Sequence, residues 1–279
     1  MTKTVTTING RFVEKKDALI SVFDNSLLYA EGLFETFLAI DDRVIFVEDH
    51  LKRLYKGAKV IGLDIPVSSD KLIKWMIKTA RLHPDKIKKL RMTITSGEAA
   101  RWTGKQGKPQ IILSASPHKM PEKPFALLVS QYRVDQDSIF RRIKTISYAI
   151  HAAALKQAHG KKYDDALMLN EKGNVAEVTS ANIFWVNKGQ IFTPPLMAGC
   201  LEGVTRKAVL TESKKLGFKI SERDVTLAKI LKADEIFISS SLKLVIGVGK
   251  IIEGRQIHSF PTGPITLHLS NHFRKFLSS

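Results

Sequence analysis

The 279-residue chain has little of what marks several common kinds of protein. It holds one cysteine, Cys200, which excludes an internal disulfide framework and any multi-cysteine zinc or iron–sulfur site. No stretch approaches the ~20 consecutive apolar residues of a membrane span. Met1 to Gly10 carries no apolar signal core, so a cytoplasmic protein without a membrane partner is expected. Aromatic residues make up 8% of the chain and no nucleic-acid-binding motif stands beside its basic residues, so a nucleic-acid partner is not expected. The patterns G-x-G-x-x-G, G-x-x-x-x-G-K-[ST], G-x-S-x-G and H-E-x-x-H are missing. The eight histidines are scattered without ligand-like spacing, and no metal site is expected.

Negative charge is also scarce. Asp and Glu number 27 against 44 Lys and Arg, a formal balance of +17. The basic residues form no dedicated arm. Their densest stretch, Lys86 to Arg91, runs into the alternating Leu90, Met92 and Ile94 and reads mostly as the solvated start of a strand. The charge suits solubility and the attraction of anionic small molecules.

What is present is a mixed α/β or α+β pattern. Asn9-Gly10 between Val5 to Ile8 and Phe12-Val13 predicts a tight hairpin. Leu51, Leu54, Tyr55, Ala58 and Ile61 recur at helical spacing from Val47 to Ile61, with Gly62 as the stop. A second helix is expected from Ser68 or Ser69 through Ala80. Strands are expected at Leu90 to Thr95 and Ile111 to Ser114. The segment Ser116 to Pro124 contains three prolines, which neither donate to a ladder nor continue a helix. It divides the chain into domains 1–117 and 125–279 joined by a linker at 118–124. Beyond it, helices are expected near Ser147 to His159, Val204 to Leu216 and Thr226 to Leu231. Strands are expected at Phe125 to Arg133, Ala166 to Leu169, Ile183 to Val186, Ile191 to Thr193, Phe218 to Ile220, Ile236 to Ser239 and Val245 to Val248.

One run in the second half carries chemistry: Glu177-Val-Thr-Ser-Ala-Asn182-Ile-Phe, then Ile191-Phe-Thr193, then Leu201-Glu-Gly203-Val204-Thr205-Arg206. Gly203 followed by a helix offers unpaired backbone N–H groups, a ready site for an anion such as phosphate. Ser239-Ser-Ser241 closes an apolar strand with three hydroxyls, a second set of candidate phosphate contacts. Taken singly, Gly203 is equally a plain turn and the serines a plain strand cap.

Together the E-x-T-x-x-N-I-F…T…L-x-G-V-T-R pattern from Glu177 to Arg206 resembles the class IV aminotransferases, the fold-type IV enzymes that use pyridoxal 5′-phosphate. Ile8-Asn-Gly10, Gly32-Leu-Phe-Glu-Thr36, His50-Leu-Lys-Arg-Leu54 and Ile143-Lys-Thr-Ile-Ser-Tyr148 extend the resemblance over nearly the whole chain in family order. It implies a small N-terminal α/β domain, a larger C-terminal domain with a barrel-like sheet, and a homodimer with Ser26 to Glu31 near its interface. It implies that Lys144 binds the cofactor aldehyde covalently and carries the substrate proton. Glu177 would keep the ring nitrogen protonated. Arg53, Val204, Thr205, Ser240 and Ser241 would hold the phosphate, Leu201 would pack on the ring and Tyr148 would reach the phenolic oxygen.

The substrate side implied by the resemblance is mixed. Phe34, Thr36 and Arg101 are the expected substrate-binding residues, with Lys105 in the same loop. Ser96 stands where D-amino-acid and lyase members often have an arginine. Thr36 resembles the aminodeoxychorismate lyase branch, whereas Lys144 to Tyr148 and Ser241 to Gly247 look closer to D-amino-acid transaminases. The expected reaction is transamination between an amino acid of D- or branched-chain type and a 2-oxo acid. The alternatives are release of pyruvate and 4-aminobenzoate from aminodeoxychorismate, and binding of pyridoxal phosphate without turnover.

Overall fold

The computed structural model describes residues 4–99 and 106–277 and divides the chain into two compact units. The first comprises residues 1–120 together with Ile143–Ser147, and the second Pro121–Arg142 and Tyr148–Ser279. The units part at Met120/Pro121, inside the proline-rich stretch. The return of Ile143–Ser147 to the first unit has no signal in the sequence.

In the first unit, strands β1 (Val5–Ile8) and β2 (Arg11–Val13) form the predicted hairpin. Asn9 and Gly10 lie at φ 51° and 77°, the left-handed pair that a two-residue turn requires. A side chain at Gly10 would also collide with the Trp75 indole. A short helix α1 (Asn25–Tyr29) precedes β3 (Gly32–Ile40) and β4 (Arg43–Val44). Helix α2 covers Val47–Ile61 as the periodicity predicts, and α3 covers Ser69–Arg81, capped by the Ser68 hydroxyl accepting from the Lys71 N–H. Strands β5 (Ile87–Thr95) and β6 (Ile111–Pro117) complete a six-stranded sheet of order β2-β1-β6-β5-β3-β4.

Alternation sorts the faces of this sheet. Leu33 and Phe37 of β3 and Leu90, Met92 and Ile94 of β5 form one core with Leu51 and Leu54 of α2 and Leu72 and Met76 of α3. Phe34, Thr36, Arg91 and Thr93 have the opposite parity, and the register puts Phe34 across from Thr93 and Thr36 across from Arg91. Residues 143–147 pair with the start of β3: the Phe34 N–H donates to the Lys144 carbonyl at 2.9 Å and the Ile146 N–H to the Gly32 carbonyl at 3.1 Å. The basic stretch before Leu90 is not wholly solvated. Lys88 shares the core-facing parity, is buried, and satisfies its ammonium on the Asp41 carbonyl at 2.6 Å.

The second unit is a nine-stranded, barrel-like sheet. Its elements are β7 (Phe125–Val134), α4 (Ala149–Gly160), β8 (Asp165–Asn170), β9 (Val175–Val178), β10 (Asn182–Asn187), β11 (Gln190–Thr193), α5 (Val204–Lys215), β12 (Ile220–Glu222), α6 (Leu227–Ile230), β13 (Glu235–Ser240), β14 (Leu244–Glu253), β15 (Gln256–Ser259) and α7 (Pro264–Arg274). The strand order is β12-β11-β10-β13-β14-β7-β8-β9, with β15 beside β14. The two ends of its central run meet again through the turn between β9 and β10, where Val178 and Ala181 exchange backbone hydrogen bonds. β7 runs parallel to β14 and β8, and α4 makes the crossover from β7 to β8. Ile183, Ile236, Ile238, Ile246 and Val248 lie in its largest core.

The helix expected at Ser147 begins at Ala149, because 145 and 146 pair with β3. The strand expected at Phe218 to Ile220 lies two residues later, with Ile220 paired to Ile191. Strand β9, which carries Glu177, was not evident: its four residues are all buried, so they show no alternation. Among the described residues no helix is long and apolar enough to cross a membrane.

Phe37 is fully buried in the first unit's core, so Phe37→Ala is expected to cost about 3–5 kcal/mol of that unit's stability in urea denaturation. Phe12, 56% exposed, is expected to stay within about 0.5 kcal/mol when changed to Ala.

Candidate active site

In the second unit the centre is Glu177 on β9. Its Oε1 accepts from the Arg141 guanidinium and, at 3.1 Å, from His151 Nε2, while its Oε2 accepts the Leu201 N–H at 2.9 Å. Burial opposes its charge, but Arg141, His151 and the Leu201 amide outweigh burial and hold the carboxyl at about 2. Glu177 is therefore a carboxylate at neutral pH. His151 Nε2 also lies 3.0 Å from Arg141 Nη1, so the three side chains form one cluster. Arg141 is fixed by a second bond, from its Nε to the Gly199 carbonyl at 2.8 Å.

Around this carboxylate the main chain is held closely. Tyr148 stacks on His151 with ring centroids 4.1 Å apart, and its hydroxyl donates to the Thr179 carbonyl at 2.9 Å. Asn182 Nδ2 donates to the Leu201 carbonyl at 2.8 Å, and a Cβ at Gly203 would collide with Asn182 Oδ1. Gly203 precedes α5 with no side chain capping the helix. Three hydroxyls nearby in sequence to these elements, Thr205 Oγ1, Ser239 Oγ and Ser240 Oγ, are buried and have no partner among the described residues. Such groups are costly unless something outside the chain pairs with them. Burial, then the Glu177 charge, pushes the Cys200 thiol up to about 12.

The first unit holds a second buried carboxylate. Glu35 of β3 faces α2, where Arg53 grips it with Nε at 2.8 Å and Nη2 at 2.6 Å, and His50 Nδ1 lies 2.7 Å from the same group. Burial works against the Glu35 charge, yet Arg53 and then His50 hold its carboxyl at about 2. Burial also lowers the His50 pKa, leaving a neutral ring that donates to Glu35. Arg53 thus has a protein partner that the sequence did not suggest. On the opposite face of the sheet, the Phe34 ring lies between two cations: Arg91 Cζ is 4.0 Å and Lys144 Nζ 4.5 Å from its centroid. Thr36 is on that face beside Arg91. Arg101 and Lys105 lie outside the described residues.

The structure therefore groups Lys144, Phe34 and Thr36 in the first unit, adding Arg91. In the second it groups Glu177, Tyr148 and Leu201, adding Arg141, His151 and Asn182. Arg141 sits in an ordinary Phe-Arg-Arg run, and only the three-residue step from Tyr148 to His151 at the start of a helix hinted at a shared face.

A model of the family described as "Amino-transferase class IV" matches residues 32–251. The chain belongs to the class IV aminotransferase family. A relative named "Putative branched-chain-amino-acid aminotransferase" from Methanocaldococcus jannaschii is 35% identical over 274 residues, covering 96% of this chain and 94% of that protein. "Aminodeoxychorismate lyase" of Bacillus subtilis is 28% identical and covers 88% and 86%. Among solved structures, the T.th. branched-chain amino acid aminotransferase complexed with N-(5′-phosphopyridoxyl)-L-glutamate superposes with a TM-score of 0.89 at 26% identity, covering 98% and 94%. The family and the mixed, two-part fold with a barrel-like sheet are those that the motifs led one to expect. As a member of this family the chain is an enzyme.

Both buried carboxylates have depressed values, so their contribution to stability is complete above their ordinary value near 4.5 and lost as pH falls toward 2. The cofactor-free protein is expected to lose on the order of 3 kcal/mol per group across that window. Glu177→Gln strands the Arg141 charge and is expected to cost about 3–5 kcal/mol at pH 7 while flattening the acid limb of the curve. Denaturant melts at pH 7 and pH 3 check both.

Proposed function

We propose that this class IV aminotransferase binds pyridoxal 5′-phosphate and moves an amino group between an amino acid, of D- or branched-chain type, and a 2-oxo acid. The observation that carries the reading is Glu177, an ionised carboxylate kept buried with Oε2 taking a single donor among the described residues. An oxygen with one accepted bond retains capacity for a second donor, as a protonated ring nitrogen would be. The residues present also suit the cofactor's phosphate: the uncapped start of α5 and the partnerless hydroxyls of Thr205 and Ser240 are donors awaiting an anion. Leu201, whose main chain is held by Glu177 and Asn182, is assigned to pack on the ring.

When bound, the cofactor supplies an electron sink for the pair left on a substrate's α-carbon after proton loss. The chain's part is to place protons and charges. Lys144 Nζ is assigned the aldehyde and the proton taken from and returned to the substrate. Glu177 keeps the ring nitrogen's proton in place. Tyr148 is assigned to the phenolic oxygen, and Arg53, with Ser241, Val204 and Thr205, to the phosphate. Arg91, fixed against Phe34 on the face that carries Lys144, is a cation with which a substrate carboxylate can pair.

Transamination is favoured over lyase chemistry by the greater identity and coverage of the Methanocaldococcus jannaschii relative. Thr36, on the Arg91 face, is the feature that keeps the lyase reading open. The enzyme is proposed to be a homodimer, because Val22, Phe23, Leu27, Leu28 and Tyr29 expose 49–64% of their surface in one short stretch.

The purified enzyme with added pyridoxal phosphate is expected to show a visible absorbance band, and Lys144→Ala to lose it along with a factor of at least about 10²–10⁴ in the half-reaction with amino acids. A half-reaction screen of L- and D-amino acids against aminodeoxychorismate decides between the chemistries. Aminobenzoate release with no oxo-acid acceptor would replace the transaminase reading, and a wild type without any band would remove both.

A further inference from the structure

Lys243 is an unusual lysine for an enzyme with so much positive charge at its disposal on the surface. It lies in the turn between β13 and β14, next to the Ser239–Ser241 run, and its side chain is 16% exposed. Its ammonium donates to Ser180 Oγ at 2.7 Å and stands 4.0 Å from Asp165 Oδ2 and 5.5 Å from the Phe125 ring centroid. Ser180 Oγ in turn donates to Asp165 Oδ2 at 2.6 Å. The other Asp165 oxygen accepts from the Thr179 hydroxyl and, at 2.8 Å, from the Ala166 N–H. Asp165 is 2% exposed, so its charge is tolerable only with this full set of donors and a nearby cation. Burial lowers the Lys243 pKa against the pull of Asp165, so the ammonium too is held there at a cost.

What this pair grips is the turn Thr179–Ala181. That turn has a proposed cofactor residue on each side. Before it, the Thr179 carbonyl receives the Tyr148 hydroxyl; after it, Asn182 holds the Leu201 carbonyl and fits against Gly203. Lys243 itself belongs to the turn that follows Ser240, its N–H donating to the Ser240 carbonyl at 3.2 Å. The next residue, Leu244, is held at φ 52°, a left-handed conformation unfavourable for leucine that needs surrounding contacts to persist.

We propose that Lys243 is a positioning residue of the active site, which through Ser180 and Asp165 locks the β13–β14 turn bearing Ser240 and Ser241 to the β9–β10 turn that orients Tyr148 and Asn182. Its ammonium acts through Ser180 and Asp165. The proposal rests on the pyridoxal phosphate reading above and adds a residue to it that the family pattern did not single out.

The test compares Lys243→Met, Lys243→Arg and Ser180→Ala with wild type, each purified without cofactor and titrated with pyridoxal 5′-phosphate. The readouts are the dissociation constant, the position of the visible band and the melting temperature of the cofactor-free protein. Lys243→Met is expected to weaken binding about tenfold or more and to shift the band, as loss of an orienting partner does at other ligand sites. Lys243→Arg is expected to restore both, because charge and a donor return. Ser180→Ala, at an exposed position where folding is tolerant, is expected to lie between. Wild-type binding and an unshifted band in Lys243→Met overturn the proposal, even if its melting temperature falls. Should Lys243→Met not fold, unchanged binding and band in Ser180→Ala overturn it instead. A wild type that binds no pyridoxal phosphate defeats the underlying reading, an outcome separate from a binding wild type with indifferent variants.

Discussion

An ionised carboxylate in a protein interior is the constraint around which the second unit is arranged. Glu177 sits on a fully buried strand, where an unpaired charge would take up a proton. Arg141, His151 and the Leu201 amide prevent this, and each comes from a different stretch of chain. Satisfying one side chain thereby fixes the short segment before α4, the first turn of α4 and the connection into α5. The same bonds set the Tyr148 ring by stacking and the Leu201 main chain by hydrogen bonding. The positions of Tyr148 and Leu201 are thus coupled to the ion cluster around Glu177.

The first unit solves the same problem with the same residue types. Glu35 is paired with one arginine and one histidine, both on α2, three residues apart. Here the carboxylate points to the helices, while the neighbouring Phe34 and Thr36 point the other way with Arg91 and the Lys144 side chain. Strand alternation therefore separates the neighbours in one short motif: Glu35 anchors an arginine on one face, and Phe34 and Thr36 lie with Arg91 on the other. The segment carrying Lys144 is held by main-chain bonds to β3, by the Thr145 hydroxyl donating to the Gly32 carbonyl and by Ile143 in the first unit's core.

Thr205, Ser239 and Ser240 keep buried hydroxyls without partners among the described residues, and α5 begins without a cap. A folded chain ordinarily pairs such atoms. These three hydroxyls lie in α5 and at the end of β13, beside the pattern that ends at Arg206. The excess of 17 positive charges raises the local concentration of anions.

Much of this was legible before any coordinates. Local rules determined α2 and α3, whose apolar residues recur on one face, and the Asn9-Gly10 hairpin, whose turn needs two left-handed residues. The spacing from Glu177 to Arg206 identified the family, because the residue types that serve one cofactor must recur in fixed order along the strands and turns that present them. Pairings between distant segments were not legible. Nothing near Arg141 points to Glu177, nothing near Lys243 points to Asp165, and Arg53 carries no local sign of Glu35. Strand β9 shows no alternation because both its faces are covered, and residues 145 and 146 leave the helix expected to begin near them because β3 offers partners for their backbone. Sequence by itself determined the strongly patterned elements, such as α2, α3 and the first hairpin, and which cofactor chemistry the residues resemble, since those depend on near neighbours and residue type. Only the tertiary structure decided which charge neutralises which, because burial makes an unpaired charge intolerable and the partner that relieves it can come from anywhere the chain returns.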